Sequence, residues 1–93
     1  MDRLTLVLVV DLPESSVPAF RAYEDQVLPL LERHSGRLER RLRTADGLTE
    51  VHLVSFQDRA GFQGYVDDPE RVGHRELVEG SPYEQRLLEV TDV

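Results

Sequence analysis

Alternating side chains near the start of the chain predict a strand, because every residue from Leu4 to Val10 is apolar or β-branched. Successive side chains of a strand project to opposite faces. One face carries Leu4, Leu6, Leu8 and Val10. The other face carries Thr5, Val7 and Val9. A strand that is apolar on both faces is covered on both, so we expect this strand at the centre of a sheet.

Apolar residues then recur at helical spacing from Phe20 to Leu31. Ser16 is the expected N-cap of this helix. Pro29 falls inside the helical pattern and is expected to kink or locally unwind it. Gly36 follows the helix and is the expected left-handed cap.

The dipeptide Asp46-Gly47 predicts a hairpin between two further strands. Pairing across this turn sets residues 41–43 against residues 50–52. One face of the hairpin is expected to pack against helices and comprises Leu38, Arg40, Leu42, Val51, Leu53 and Ser55. The opposite face, polar at its turn end, comprises Arg37, Glu39, Arg41, Arg43, Glu50, His52, Val54 and Phe56.

The last third of the chain predicts a second helical region and a final strand. A helix is expected to begin near Asp58, to break at Asp67-Asp68-Pro69 and to restart as a short helix. Residues 83–93 alternate as in a half-buried strand. The order is therefore βαββαβ, an α+β ferredoxin-like fold in one domain spanning residues 1–93. Its sheet order is 4-1-3-2, with helices on one face, and it places the first strand centrally.

The amino-acid composition excludes several classes of function. The chain has 18 acidic and 11 basic residues and a net charge of −7, which excludes a general nucleic-acid binder. The basic residues are all arginine, so no lysine can act as a nucleophile or form a Schiff base. No apolar run is long enough for a membrane span and no signal peptide is evident, so we expect a cytoplasmic protein without a membrane partner.

Two segments carry a resemblance to a known group of proteins. They are Tyr23–Leu38, which closes the first helix, and Val51–Phe62, which is followed by Tyr65 and by Asp68-Pro69-Glu70. The chain resembles the dimeric α/β-barrel superfamily, and most closely its small uncharacterised stand-alone domains. These are related to antibiotic-biosynthesis monooxygenase-like, EthD-like and NIPSNAP-like proteins. The resemblance implies a homodimer whose two sheets face each other and close a barrel.

The polar end of the hairpin holds the sharpest candidate site. The imidazole of His52 can exchange a proton near neutral pH, and Arg41 beside it can bind an anionic oxygen. Glu50 or Glu39 can orient the ring. The alternative is a cross-strand ladder of charges on a solvated or interface face, with no catalytic role.

Further tyrosine and histidine residues are candidates for the same site. Tyr65 is a candidate catalytic residue, while Tyr23 and His74 are candidate ligand-binding residues together with Glu50. The alternatives are core packing for the tyrosines and a surface position for His74. The acidic pairs Glu24-Asp25 and Asp67-Asp68 are interpreted as solvated surface. The histidine spacing does not favour a metal site.

These observations predict a homodimeric protein that binds a small, largely apolar molecule beside the sheet and needs no cofactor or metal. If the protein is an enzyme, the resemblance implies an isomerase, a cyclase or a cofactor-independent monooxygenase acting on an aromatic or polyketide-like metabolite. The alternative is a non-catalytic ligand carrier or a dimeric interaction module.

Overall fold

Four antiparallel strands and one layer of helices form the fold in the computed structural model, which describes residues 3–93. The strands are β1 (Leu4–Asp11), β2 (Gly36–Arg43), β3 (Thr49–Phe56) and β4 (Glu84–Val90). The α-helices are α1 (Val17–Val27), α2 (Arg59–Asp67) and α3 (Pro69–Gly73), and 3-10 segments span Glu14–Ser16, Leu28–His34 and His74–Val78. The sheet order is β2-β3-β1-β4, which is the predicted 4-1-3-2 order counted from the other edge. The ferredoxin-like fold is confirmed.

Strand β1 is central, as its pattern predicts. It pairs with β3 on one side and β4 on the other. Leu4, Leu6 and Val10 are buried beneath the helices, whereas Thr5, Val7 and Val9 are only half-buried on the opposite face. No helix covers that second face within the described chain, and we call it the open face. Residues 3–93 contain no helix with the length and apolarity needed to cross a membrane.

The hairpin register is confirmed, but the face predicted to pack against helices is wrong. Arg41, Leu42 and Arg43 pair with residues 52, 51 and 50, as expected. On its other edge, β3 pairs with β1, with Glu50 opposite Val10 and His52 opposite Leu8. This pairing places both polar side chains on the helical side. Strand β1 decides the orientation, because partners in an antiparallel pair share one face.

A β-bulge between Leu38 and Arg40 interrupts the alternation of β2, so Arg37, Leu38 and Glu39 keep the sides predicted for them although the rest of the hairpin is reversed. Leu38 pairs with Val54 and packs against the core, on the helical side. Glu39 lies on the open face instead and accepts hydrogen bonds from Ser55 at 2.6 Å and Arg3 at 3.1 Å. Because a bulge adds one residue to a strand, strict alternation cannot anticipate it.

Local unwinding at Pro29 is confirmed, since residues 28–34 form a 3-10 segment. The predicted left-handed cap at Gly36 is wrong, because Ser35 adopts that conformation with φ 58°. Gly36 instead allows a close approach, and a Cβ there would lie 2.6 Å from the Phe56 ring. A side chain at this position would therefore displace a core aromatic ring.

Two apolar clusters form the core between sheet and helices. The larger comprises Leu4, Leu6, Leu30, Leu31, Phe56 and Tyr65. The smaller comprises Val10, Leu12 and Phe20. Along β1, Leu8 lies between these clusters, and its partner on β3 is His52. The polar residues of β3 thus occupy the gap between the two clusters.

Candidate active site

A pocket of about 360 Å³ lies between the sheet and the helical layer. Its volume falls within the range of about 300–1,000 Å³ found for small-molecule sites. Leucine, valine and phenylalanine side chains form most of its wall. The polar lining residues are Glu24, His52, Tyr65, Arg71, Arg75 and Gln85. A larger cleft of about 450 Å³ at the far end of β1 is more open and has no histidine or arginine in its lining.

His52 on β3 is the most buried of the polar side chains that line the pocket, with 1% of its surface exposed. Its Nε2 lies 2.9 Å from Oε1 of Glu50, and its Nδ1 lies 3.8 Å from Oε2 of Glu24. Two carboxyl groups therefore flank one imidazole. Glu50 holds it from the sheet, and Glu24 faces it from α1.

Glu50 is fully buried and is surrounded by basic groups. Arg41 donates from Nε to Oε1 at 2.9 Å, and Arg43 donates from Nε to Oε2 at 2.9 Å. Burial raises the pKa of this carboxyl, but the hydrogen bonds from His52, Arg41 and Arg43 outweigh burial and lower the pKa to about 2. Glu50 is therefore ionised at neutral pH and can only accept hydrogen bonds.

The protonation of His52 follows from that of Glu50. Because an ionised carboxylate cannot donate, Nε2 of His52 must carry the proton in their shared hydrogen bond. Burial lowers the pKa of the imidazole, which Glu50 opposes, so the ring is neutral at pH 7. Nδ1 then keeps its lone pair on the side of Glu24 and can accept a proton.

The interpretation of the Glu24-Asp25 pair as solvated surface is confirmed for Asp25, whose side chain is 70% exposed, and is wrong for Glu24. Its side chain is buried, lines the pocket and receives no hydrogen bond from residues 3–93. Burial raises the pKa of its carboxyl to about 7, although Arg41 and Arg71 lower it. The sequence does contain a signal for this burial. Glu24 follows Phe20 and precedes Val27 at helical spacing, which places it on the buried side of α1.

The structure separates the predicted site residues into two groups. His52 and Tyr65 line the pocket. Arg41 and Glu50 lie behind His52 and do not line it, so Arg41 contacts Glu50 rather than the cavity. Tyr23 is buried in the core outside the lining.

His74, the remaining candidate, begins the last 3-10 segment and also lies outside the lining, 3.8 Å from Glu70. The predicted charge ladder is present in part, because Arg43 pairs with Glu50 and Arg37 lies 3.6 Å from Glu39. At Glu50, however, the ladder is buried and not solvated.

Tyr65 presents its ring to the pocket and its hydroxyl to the backbone. The hydroxyl donates to the carbonyl oxygen of Val27 at 3.3 Å. Burial raises the pKa of this hydroxyl to about 12, against an opposing effect of Arg71. The guanidinium of Arg71 lies over the ring, 4.7 Å from its centroid. Tyr65 therefore stays protonated at neutral pH.

A second buried carboxylate, Asp68, stabilises the helical layer outside the pocket. The interpretation of the Asp67-Asp68 pair as solvated surface is confirmed for Asp67 and is wrong for Asp68, of which only 4% is exposed. His34 lies 2.6 Å away, and Asp68 accepts the backbone N–H of Glu70 to cap α3. The hydrogen bond from His34 is the main cause that lowers the pKa of Asp68 to about 2. Its position before Pro69 is a recognisable cap signal.

No family model matches the chain, and no curated protein matches it. Solved structures do match. SnoaB from Streptomyces nogalater, a cofactor-independent oxygenase, matches with a TM-score of 0.73 and 18% identity over 100% of this chain and 97% of its own.

Two further matches come from other bacteria. A proposed antibiotic biosynthesis monooxygenase from Bacteroides thetaiotaomicron has a TM-score of 0.82 and 10% identity, over 99% of this chain and 90% of its own. A NIPSNAP domain protein from Burkholderia xenovorans has a TM-score of 0.75 and 16% identity, over 97% and 94% respectively. Identities this low establish the fold alone: the chain has the ferredoxin-like fold of the antibiotic-biosynthesis monooxygenase-like and NIPSNAP domain proteins.

Proposed function

We propose that this protein is a homodimeric, cofactor-independent enzyme that moves a proton on a small aromatic or polyketide-like metabolite. One observation carries the proposal. A neutral histidine, held by a buried ionised carboxylate, forms part of the wall of an otherwise largely apolar pocket. This is the arrangement of a general base oriented by a carboxylate.

The chemistry begins with the lone pair of His52 Nδ1. A weakly acidic C–H or O–H proton of the bound molecule passes to Nδ1, which leaves the electron pair on the substrate as an enolate or phenolate. The resulting imidazolium is stabilised by Glu50, 2.9 Å from Nε2. Glu24, 3.8 Å from Nδ1, can accept the proton or return it.

Deprotonation is the step shared by the activities that the fold suggests. Return of the proton at another carbon is isomerisation, and attack of the anion on a carbonyl of the same molecule is cyclisation. Reaction of the anion with dioxygen, which then serves as the oxidant, is oxygenation. The likeness to SnoaB, a cofactor-independent oxygenase, supports this class of reaction.

The open face supports the proposal of a homodimer. Leu42, Leu88 and Val90 lie on this face and are 44%, 41% and 37% exposed. Val7, Val9 and Leu53 extend the same apolar surface across the centre of the sheet. A second copy of the chain that places its own open face there would remove this apolar area from water.

Proton exchange tests the catalytic proposal without knowledge of the natural substrate. The probe is 2-tetralone, a bicyclic aromatic ketone with acidic C–H groups. Its exchange in D₂O is monitored as the loss of the ¹H NMR signals of these groups. We expect the protein to accelerate exchange and His52→Gln to reduce the acceleration about 10²–10⁴-fold. The glutamine retains a donor for Glu50, and His74→Gln is the matched control outside the pocket. Binding of the probe without acceleration would favour a ligand carrier.

Analytical ultracentrifugation tests the dimer. Leu88→Glu places a charge on the open face and is expected to give monomers. Val72→Glu adds the same charge to a residue of α3 that is 42% exposed, and it should leave the dimer intact. A wild-type protein that sediments as a monomer would contradict the homodimer.

A further inference from the structure

Two arginines of the pocket lack acidic partners in a strongly acidic chain. Arg71 and Arg75 both line the cavity, from α3 and the 3-10 segment that follows it. Neither forms an ion pair with Asp or Glu among residues 3–93. Acidic residues outnumber basic ones by 18 to 11, so acidic partners are plentiful elsewhere.

An aromatic contact positions the Arg71 side chain. Its guanidinium stacks on the Tyr65 ring, 4.7 Å from the centroid. Its Nε is shielded from solvent and has no hydrogen-bond acceptor in the described part of the chain. A desolvated donor without an acceptor is costly, so this position suits an acceptor that enters with a ligand.

The acidic side chains near the pocket do not supply that acceptor. Glu50 is occupied by Arg41, Arg43 and His52. Glu70 is paired with Arg33 at 3.2 Å. Glu24 lines the same cavity but forms no ion pair with Arg71.

We infer that the ligand of this pocket is an organic anion, with a carboxylate or another anionic oxygen held by Arg71 and Arg75 and an apolar body against the leucines and Phe62. Guanidinium groups bind planar oxyanions through paired hydrogen bonds. This inference rests on the proposed function, because it names the substrate class of the same pocket. It makes Arg71 a specificity-determining residue.

A pair of nearly isosteric probes tests the inference by isothermal titration calorimetry at pH 7. They are 2-naphthoate, which carries a carboxylate, and 2-naphthamide, which is neutral. We expect 2-naphthoate to bind at least about tenfold more tightly. A third probe, 2-naphthol, distinguishes the sources of the anionic oxygen, since the absorbance of bound naphtholate reports whether the pocket also selects a phenolate.

Substitutions of the two arginines test whether they cause the tighter binding of 2-naphthoate. Arg71→Gln is expected to weaken 2-naphthoate about tenfold or more and to leave 2-naphthamide nearly unchanged. Arg75→Gln provides a second variant that does not disturb the packing on Tyr65. Arg37→Gln removes the same charge from a side chain that is 75% exposed and outside this pocket, and should change neither affinity.

The outcomes separate this inference from the proposed function. Equal affinity for the two naphthalene probes, or equal weakening of both by Arg71→Gln, overturns the inference. If 2-naphthoate does not bind but 2-tetralone exchange still depends on His52, the inference fails and the proposed function stands. If 2-naphthoate binds through Arg71 but exchange is independent of His52, the proposed chemistry fails instead.

Discussion

Glu50 and Glu24 lie on opposite sides of one imidazole, and both are removed from solvent, with exposures of 0% and 6%. Glu50 on β3 accepts hydrogen bonds from His52, Arg41 and Arg43. Glu24 on α1 receives none from residues 3–93. The pKa of the first carboxyl is about 2 and that of the second about 7. The number of donors therefore decides the charge of a buried carboxyl here.

The contrast assigns different tasks to the two groups. A permanently ionised Glu50 can orient and stabilise His52 but cannot exchange protons at neutral pH. A carboxyl that titrates near neutrality can accept and release a proton, as an acid/base group must. Substitution of either carboxyl, with an exposed acidic residue as its control, tests this contrast.

The largest effect is expected for Glu50→Gln. The change removes the charge while Arg41, Arg43 and His52 remain, so we expect the free energy of unfolding at pH 7 to fall by about 3–5 kcal/mol. Because the folded pKa is below the ordinary value of 4.5, this stabilisation is present above pH 4.5 and is lost as the pH falls toward 2. Urea unfolding of the wild type and the variant at pH 7 measures the loss of stability, and the same comparison at pH 3 measures its decrease with pH.

The matched control is Glu39→Gln. Glu39 also contacts two arginines, but these pairs lie on the open face, where the arginines are 63% and 75% exposed. Its loss should lower the free energy of unfolding far less than the loss of Glu50, because exposed ion pairs are screened by solvent. Similar losses for the two variants would show that the Glu50 network has no special role in stability.

The opposite sign is expected for Glu24→Gln. The folded pKa of Glu24 is raised from 4.5 to about 7, so its ionisation favours the unfolded chain as the pH rises through that interval. The substitution should stabilise the protein by about 3 kcal/mol at pH 8 and by about 1 kcal/mol at pH 5. The matched exposed control is Asp25→Asn, whose side chain is 70% exposed, and it should change the free energy of unfolding at pH 8 far less than Glu24→Gln does. A destabilised Glu24→Gln protein at pH 8 would contradict the account.

The smallest effect is expected for Tyr65→Phe, which tests a third titratable group of the pocket. The lost hydrogen bond to Val27 is long, at 3.3 Å, so the free energy of unfolding should fall by only about 0.5–1 kcal/mol. Exchange of 2-tetralone should be unchanged, because the hydroxyl stays protonated and faces the backbone. A large drop in exchange would instead assign Tyr65 a part in the proton transfer.

Much of the fold follows from local signals in the sequence. The two-sided apolar strand predicts the central position of β1, and Asp46-Gly47 predicts the hairpin and its register. Pro29 and Pro69 predict where helical structure unwinds and restarts. These signals are sufficient because each depends on a few neighbouring residues. The bulge between Leu38 and Arg40 and the left-handed Ser35 have no such local signal. The close approach of Gly36 to Phe56 joins residues far apart in the sequence, which no local pattern contains.

The site was harder to predict because it violates the pattern that locates the fold. On β3 the apolar residues Val51 and Leu53 face outward, while Glu50 and His52 face the helices. The apolar/polar alternation predicts the opposite orientation, with Val51 and Leu53 toward the helices. Departures of this kind are expected at functional sites. The proton chemistry of imidazole makes His52 a candidate from the sequence alone. Glu24 and Arg71 were missed because helical charges ordinarily face solvent.

The proposed role of His52 as a base depends on which of its two ring nitrogens carries the proton. Two-bond ¹H–¹⁵N NMR correlations of uniformly labelled protein distinguish the two nitrogens of each imidazole, and the His52→Gln variant assigns the signals. We expect a neutral ring at pH 7, with the proton on Nε2 and an unprotonated Nδ1. A proton on Nδ1, or an imidazolium protonated on both nitrogens, would remove the base from the pocket and overturn the proposed function.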